Sequence, residues 1–242
     1  MNILVTVVSR FLPPSCREVN SLKDLEVIFF DLVCLKDTIT RFLAFCVVAF
    51  AGVIKLPQIW SIIRASSAQG ISTAALCIET FGYVYNLAYH RREGYPLSSY
   101  GDFSLLALQN LFILFLSYRY RHLDIQAIGI VVFFIALIFF MTSLWMPLHL
   151  LRLLVTCNIL TAMASRIPQI YNIFKNKSGG TLSLITCLGI FGGACTRIWT
   201  TAQDVKDNLV LFGYVVSTLL NGILCLQLIY YRYFKSKKNK EE

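Results

Sequence analysis

The chain repeats a segment of its own sequence. When the sequence is shifted by 111 residues, residues 55–64 (KLPQIWSIIR) align with residues 166–175 (RIPQIYNIFK) without a gap. The same shift pairs identical residues elsewhere, among them Arg41 with Arg152, Ser72 with Ser183, Gly82 with Gly193 and Asn110 with Asn221. A duplication is the simplest explanation. We therefore predict two similar units, residues 40–121 and residues 152–232, joined by a linker of residues 122–151.

The composition indicates that these units fold in lipid. Hydrophobic residues make up 57% of the 242 residues, charged residues only 14%, and the mean hydropathy is +0.65. A soluble domain of this composition would not stay in solution. Because the apolar stretches reach helix length and do not alternate with polar residues, they predict an all-α membrane protein rather than a β-barrel.

Seven segments approach the length of about 20 apolar residues that a membrane-spanning helix needs. They cover residues 40–63, 71–90, 101–118, 125–143, 149–173, 181–201 and 208–231. Each repeat holds three of them, and the linker supplies the seventh, helix 4. An odd number of linker helices restores the orientation of the first unit, so the two three-helix bundles are parallel. Transport folds with parallel repeats bind their substrates where the repeats meet, and we expect a polar central cavity there.

The distribution of basic residues predicts the orientation of the chain. Most Lys and Arg residues near helix ends fall on the side of the C-terminus, so the positive-inside rule places the C-terminus in the cytosol and the N-terminus in the lumen. In the basic cytosolic tail, residues 233–242, Lys238 and Lys240 resemble the dilysine retrieval signal of endoplasmic reticulum membrane proteins. Residues 1–39 form a lumenal or interfacial segment, which we expect to be either a surface helix or a poorly ordered tail.

Several functional classes find no support in the sequence. The net charge of +9 is not arranged along one amphipathic face, so membrane lipid is a better partner than nucleic acid. Six of the eight cysteines lie in apolar stretches without metal-ligand spacing, and we interpret them as reduced packing residues. No catalytic motif or zinc-type histidine spacing is present. We predict a protein that is not an enzyme, with no catalytic residues, no metal and no cofactor.

Each repeat carries a Pro-Gln pair near the end of its first helix. Pro57 and Pro168 each remove one helical hydrogen bond and impose a bend, and we expect the neighbouring Gln58 and Gln169 to satisfy the freed carbonyl groups. Two interpretations follow. The bend is a hinge for relative motion of the bundles, or it is a static kink.

Among the polar residues inside the predicted spans, we single out four as candidates to line the central cavity. A charge near the centre of a spanning helix costs roughly 2.5–3.5 kcal/mol on insertion scales, so Glu79 and Arg197 require an explanation. They could pair with each other, or act as a proton site and a phosphate clamp; alternatively Arg197 extends to the lumenal headgroups. Asn110 and Asn221 occupy equivalent positions and could bind sugar hydroxyl groups or pack helices together.

The paired motifs KLPQ and RIPQ, each at the end of the first helix of a three-helix unit, resemble the PQ-loop family, which includes the SWEET sugar transporters and lysosomal amino-acid exporters. The resemblance covers residues 40–232. Within the family, residues 53–59, 67–72, 191–198 and 221–227 are similar to members that act on dolichol-linked sugars. Asn110 and Asn221 resemble the paired asparagines that face substrate in the sugar transporters.

This resemblance implies a function. It implies support for the use of dolichol-phosphate-mannose and dolichol-phosphate-glucose in N-glycan precursor and GPI-anchor synthesis. Lipid-sugar presentation, scrambling and transport all remain open, with dolichol-phosphate-linked sugars and lumenal glycosyltransferases as the implied partners. The alternative is a SWEET-like or lysosomal-exporter-like transporter of a small sugar or amino acid.

Overall fold

The described part of the computed structural model, residues 16, 31–177, 183–205 and 207–231, contains helices and no strands. The helices are α1 (Leu32–Val53), α2 (Leu56–Ala65), α3 (Thr73–Arg92), α4 (Gly101–Arg119), α5 (Asp124–Thr142), α6 (Leu148–Asn176), α7 (Leu184–Thr200) and α8 (Asn208–Ile229). Because α1 and α2 together form one span of 34 residues, the described part of the chain contains seven helical units. The all-α membrane fold predicted from the sequence is confirmed.

Local capping sets where the helices begin. The Asp31 carboxylate accepts a hydrogen bond from the Val33 N–H at 3.0 Å, so α1 begins eight residues before the predicted start at residue 40. Ser72 caps α3 in the same way, accepting from the Ala75 N–H at 3.2 Å. The predicted start of the first helix at residue 40 is wrong, because the Asp31 cap rather than apolar length determines the first turn of α1.

The helices pack as two bundles of the same design. In the first repeat α4 lies between α1 and α3, and in the second α8 lies between α6 and α7. The linker helix α5 packs against α3 and α4. Five of the seven units are long and apolar enough to cross a membrane by length and composition alone; α3, with Glu79 and a basic end, and α7, with 17 residues, are the two that are not.

Among the described residues, the two bundles meet mainly near one side of the membrane. We call the side where α1 begins the N-side, and the side where α8 ends the C-side. Between the repeats, α3 packs on α6 and α1 packs on α7. The larger apolar cluster joins the first repeat to Leu151, Val155 and Val210, which lie in the N-side halves of α6 and α8. A separate cluster around Ile173 and Leu224 belongs to the C-side of the second repeat alone.

Cys16 and Cys34 form a disulfide that connects the N-terminal segment to the first turns of α1. The six cysteines that we interpreted as reduced packing residues are free. The remainder of residues 1–30 lies outside the described residues, so the interfacial helix and the poorly ordered tail both remain predictions. The same holds for Lys238 and Lys240.

Candidate functional site

A cavity of about 190 Å³ lies between the two repeats. The first repeat contributes residues from α3 and α4 to its walls, and the second contributes residues from α6 and α8. Its polar lining comes from Asn86, Asn158 and Ser217, and the rings of Phe103 and Tyr214 form part of the remaining wall. The cavity is therefore amphipathic and has no charged lining residue.

Asn158 is the most available polar group in this cavity. It lies in the middle of α6, its side chain is exposed, and it makes no hydrogen bond within the part of the chain that the structure describes. The Asn86 amide, in contrast, is buried and donates to the Gly82 carbonyl at 2.8 Å. A search for polar residues that recur in both repeats misses Asn158, because its equivalent is Val47. The sequence feature that could have identified Asn158 is its amide side chain in an otherwise apolar stretch.

The predicted residues Glu79 and Asn110 lie together in the first repeat, held by Lys55. The Lys55 ammonium donates to both Glu79 oxygens at 2.8 Å and to Asn110 Oδ1 at 2.6 Å. The Tyr83 hydroxyl donates to Glu79 Oε1 at 2.6 Å. This ion pair is partly accessible, since the Glu79 side chain is 40% exposed. Glu79, Tyr83 and Asn86 follow helical spacing along α3, so the cluster lies one to two turns to the C-side of the cavity.

Arg197 does not pair with Glu79 and does not extend to the lipid headgroups. It is buried, forms an ion pair with Asp102 of the first repeat, and donates to the Ser99 carbonyl at 3.0 Å. Its guanidinium lies over the rings of Phe103 and Tyr214, at 5.7 and 6.0 Å from their centroids. Arg197 therefore lies behind the aromatic wall of the cavity and joins the repeats on the N-side.

A second set of contacts joins the repeats at Asp207, which caps α8. Its carboxylate accepts hydrogen bonds from the hydroxyls of Tyr89 and Tyr95, the latter at 3.1 Å, and from the Leu209 N–H at 2.8 Å. Burial alone would raise the pKa of the Asp207 carboxyl, but these hydrogen bonds outweigh burial and lower it below its ordinary value. Burial and the hydrogen bond to Asp207 raise the pKa of Tyr95 to about 12.

Asn221 lies against the cavity wall rather than in it. Its side-chain amide is buried and donates to the Ser217 carbonyl, one turn back in α8, at 2.8 Å. Ser217 lines the cavity, while Asn110 lies in the cluster with Lys55. The two equivalent asparagines therefore make different contacts, because only the first repeat supplies a cation at hydrogen-bonding distance.

The two Pro-Gln motifs differ in structure. In the first repeat the helix is interrupted at Ile54 and Lys55, whereas α6 continues through Pro168. The side chain that satisfies the interrupted backbone is not Gln58, as we predicted, but Gln109 of α4. Its amide accepts from the Lys55 N–H at 3.2 Å and donates to the Ala51 carbonyl at 2.8 Å. Gln109 thus bridges the two groups that would otherwise form one helical hydrogen bond.

The second repeat has Leu220 at the position equivalent to Gln109, so it lacks the side chain that could occupy such an interruption. Gln169 accepts a hydrogen bond from Arg166 at 3.1 Å and does not bind a backbone carbonyl in the described structure. The prediction for Gln169 is therefore also wrong. Among the described residues, no group of His, Cys, Asp and Glu could hold a metal ion.

Comparison with known proteins shows a family match and a similarity to a human protein. The sequence model of the PQ loop repeat matches residues 39–99 and 150–210, two segments separated by the same offset of 111 residues at which the chain aligns with itself. The chain is also 28% identical over 184 residues to human solute carrier family 66 member 3, an alignment covering 74% of this chain and 87% of that protein. No solved structure matches the chain.

Proposed function

Because the chain belongs to the PQ loop repeat family, we propose that it is a carrier-type membrane protein whose ligand enters the cavity between the repeats. The proposed ligands are dolichol-phosphate-mannose and dolichol-phosphate-glucose. The protein makes them usable for N-glycan precursor and GPI-anchor synthesis, by presenting, scrambling or transporting the lipid-linked sugar. Lumenal glycosyltransferases are the proposed downstream partners.

The observation that carries this proposal is the unpartnered Asn158 amide in the inter-repeat cavity. An amide offers two donors and an acceptor, the groups that sugar hydroxyls bind. In a spanning helix, a polar side chain without a protein partner is costly unless a ligand or water meets it. The volume of about 190 Å³ is below the roughly 300–1,000 Å³ of pockets for drug-sized ligands, which favours a single sugar ring over a larger headgroup.

The contacts between the repeats support a conformation closed on the N-side. The ion pair of Arg197 with Asp102 and the hydrogen bonds to Asp207 join the repeats there. On the C-side, the two repeats have separate apolar clusters. We interpret this as one state of an alternating-access cycle, in which the lipid-linked sugar meets the cavity from the C-side.

We propose that the protein resides in the endoplasmic reticulum membrane with the N-side facing the lumen. The charge distribution and the retrieval-like Lys238 and Lys240 support this placement. The disulfide between Cys16 and Cys34 supports it independently, because disulfides persist in the oxidising lumen and are rare in the cytosol. The carboxyl end of the chain is then cytosolic.

A transporter of a free sugar or amino acid is the second candidate. The similarity to human solute carrier family 66 member 3 favours it, because that protein's name describes a solute carrier. This candidate predicts saturable uptake of a water-soluble solute by proteoliposomes containing the protein. Uptake of a free solute, without any movement of dolichol-linked sugar, would decide in its favour.

The test of the main proposal combines cells and reconstitution. Deletion of the protein should leave dolichol-phosphate-mannose synthesis intact and cause incomplete lipid-linked oligosaccharides to accumulate. In proteoliposomes, flipping of dolichol-phosphate-mannose should fall with Asn158→Ala and with Arg197→Ala. Thr156→Val in the same helix is the matched control, since the Thr156 hydroxyl bonds only the Arg152 carbonyl in the described structure. Normal glycan precursors in the deletion cells would refute the proposal.

A further inference from the structure

The two repeats place a basic residue at the same point, two positions before Pro57 or Pro168. Lys55 and Arg166 are equivalent at the 111-residue offset. Lys55 is neutralised within the protein by Glu79, at 2.8 Å. The position equivalent to Glu79 in the second repeat is Ile190, which has no charge. The duplication thus retains the cation in the second repeat but lacks its internal counterion.

The structure shows how Arg166 is partnered as a result. Its guanidinium donates to the neutral Gln169 side chain at 3.1 Å, and no carboxylate pairs with it in the part of the chain that the structure describes. Arg166 is half-buried and lies ten residues before the end of α6. A charge placed among apolar spanning residues is costly without an anion. Within the described structure, the guanidinium of Arg166 therefore lacks a negatively charged partner.

Helical geometry connects Arg166 to the cavity. Val155, Asn158, Ile159 and Ala162 of α6 line the cavity, and Arg166 follows Ala162 at i+4 on the same stripe. It lies eight residues beyond Asn158, which is about 12 Å along the helix. A ligand whose sugar reaches Asn158 would have its phosphate on the C-side of the cavity, near Arg166.

From these observations we infer that Arg166 binds the phosphate group of the ligand, in the position that the Glu79 carboxylate occupies in the first repeat. The planar guanidinium binds a phosphate through two hydrogen bonds, which an ammonium such as that of Lys55 cannot reproduce. The inference rests on the proposed function, since it assigns a binding residue to the same cavity. A lipid-linked phosphate and a water-soluble phosphate ester share this chemistry.

The experiment measures equilibrium binding to the full-length protein in nanodiscs, with radiolabelled dolichyl phosphate as the lipid probe and mannose 1-phosphate as the soluble probe. Arg166→Gln should weaken binding of dolichyl phosphate by about tenfold or more, the effect expected for losing a hydrogen bond to a charged group. Competition by mannose 1-phosphate identifies a site that recognises phosphate from either source. Binding of dolichyl phosphate alone identifies a lipid-specific site.

A second pair of variants tests the same inference by addition of charge. Ile190→Glu supplies the missing carboxylate and should compete with the phosphate, lowering affinity as Arg166→Gln does. Ile190→Gln introduces a side chain of nearly the same shape as glutamate but without its charge. This variant should bind the probes like the unmodified protein. Because Ile190 is 40% exposed, both substitutions leave the buried packing in place.

Lys175→Gln is the control for general surface charge. Lys175 lies near the end of α6, on the face opposite to the cavity stripe, so its removal should leave binding unchanged. Equal loss of binding in Lys175→Gln and Arg166→Gln would overturn the inference, as would unchanged binding in Arg166→Gln and Ile190→Glu. These outcomes differ from failure of the proposed function, which would appear as normal glycan precursors in deletion cells irrespective of Arg166.

Discussion

At the scale of single residues, Gln109 determines the shape of the first helix. Its amide lies between the Lys55 N–H and the Ala51 carbonyl and also donates to the Gly52 carbonyl at 2.9 Å. A buried backbone group left unpaired costs about 1–3 kcal/mol. Inside a membrane, water is not available to pair with the free backbone groups of an interrupted helix. The Gln109 side chain on a neighbouring helix therefore stabilises the interruption by pairing with these groups.

We predict that Gln109→Leu lowers the stability of the protein by about 1–3 kcal/mol, because it leaves backbone groups of α1 unpaired. The change reproduces the residue that the second repeat has at Leu220. Thermal unfolding in detergent, followed by circular dichroism, measures the effect. Gln58→Leu is the control and should unfold like the unmodified protein, since the Gln58 side chain is exposed. Equal destabilisation by both variants would contradict this account.

The ion pair of Lys55 with Glu79 gives a second prediction at this scale. Removing one partner leaves the other charge uncompensated, so Lys55→Met and Glu79→Leu should each destabilise the protein. Because the Glu79 side chain is 40% exposed, solvent screens the charge, and we expect a loss of about 1–2 kcal/mol rather than the larger value for a fully buried pair.

The double variant Lys55→Met, Glu79→Leu removes both charges and should be more stable than either single variant. A double-mutant cycle of thermal unfolding curves measures this coupling. If the destabilisations of the two single variants simply add in the double variant, the pair does not contribute as the structure indicates.

At the scale of helices and their connections, the turn between α7 and α8 holds the N-side contact through Asp207. The pKa of this carboxyl is lower in the folded protein than in the unfolded chain, where it is about 3.9. The stability that it contributes is therefore fully present above about pH 4 and is lost as the pH falls through the lower folded-state pKa. The contribution of the Asp207 carboxyl itself should therefore not change between about pH 5 and 8.

Asp207→Asn should weaken the contact by about 1–3 kcal/mol at neutral pH, since a neutral amide oxygen is a poorer acceptor for the two tyrosine hydroxyls. Thermal unfolding measured from pH 4 to 8 checks both statements. Asp204 is the control in the same turn. Burial raises the pKa of Asp204, despite the opposing effect of Arg41, so Asp204→Asn should not destabilise the protein at neutral pH.

The elements also show how far the sequence predicts this protein. Apolar length and the repeat predict seven spans and two parallel bundles, because lipid exposure and backbone satisfaction constrain spanning segments locally. The interruption at Lys55 was not predictable in this way, since it depends on the hydrogen bond that the Lys55 N–H donates to Gln109, 54 residues further along the chain. The partners of Glu79 and Arg197 depend on helix rotation in the packed bundles, which apolar length does not determine.

At the scale of the whole molecule, the described residues join the two repeats on the N-side, whereas on the C-side the repeats have separate apolar clusters. Arg197 and Asp207 of the second repeat hold contacts with the first. A reagent in water should therefore reach the cavity from the C-side and not from the N-side. This asymmetry of access can be tested with an engineered thiol.

We predict that Asn158→Cys, in a protein whose six free cysteines are replaced by alanine, reacts with a membrane-impermeant maleimide added on the C-side in sealed vesicles. Adding Arg197→Gln should also permit reaction from the N-side, because it removes the ion pair with Asp102. Leu108→Cys is the control and should stay unreactive from both sides, since Leu108 faces lipid and is 65% exposed there. Equal reactivity from both sides without Arg197→Gln would contradict the closed N-side.

The different backbones of the two Pro-Gln helices have a mechanical consequence. Pro168 removes one hydrogen bond from the ladder of α6, so bending α6 there requires the neighbouring main-chain hydrogen bonds to lengthen or break, whereas the joint between α1 and α2 already has its interrupted ladder bridged by a side chain of another helix. We therefore expect a change of angle at the joint between α1 and α2 to cost less free energy than the same change within α6. The two repeats should then differ in stiffness. The second repeat is the stiffer one, and the first repeat deforms against it.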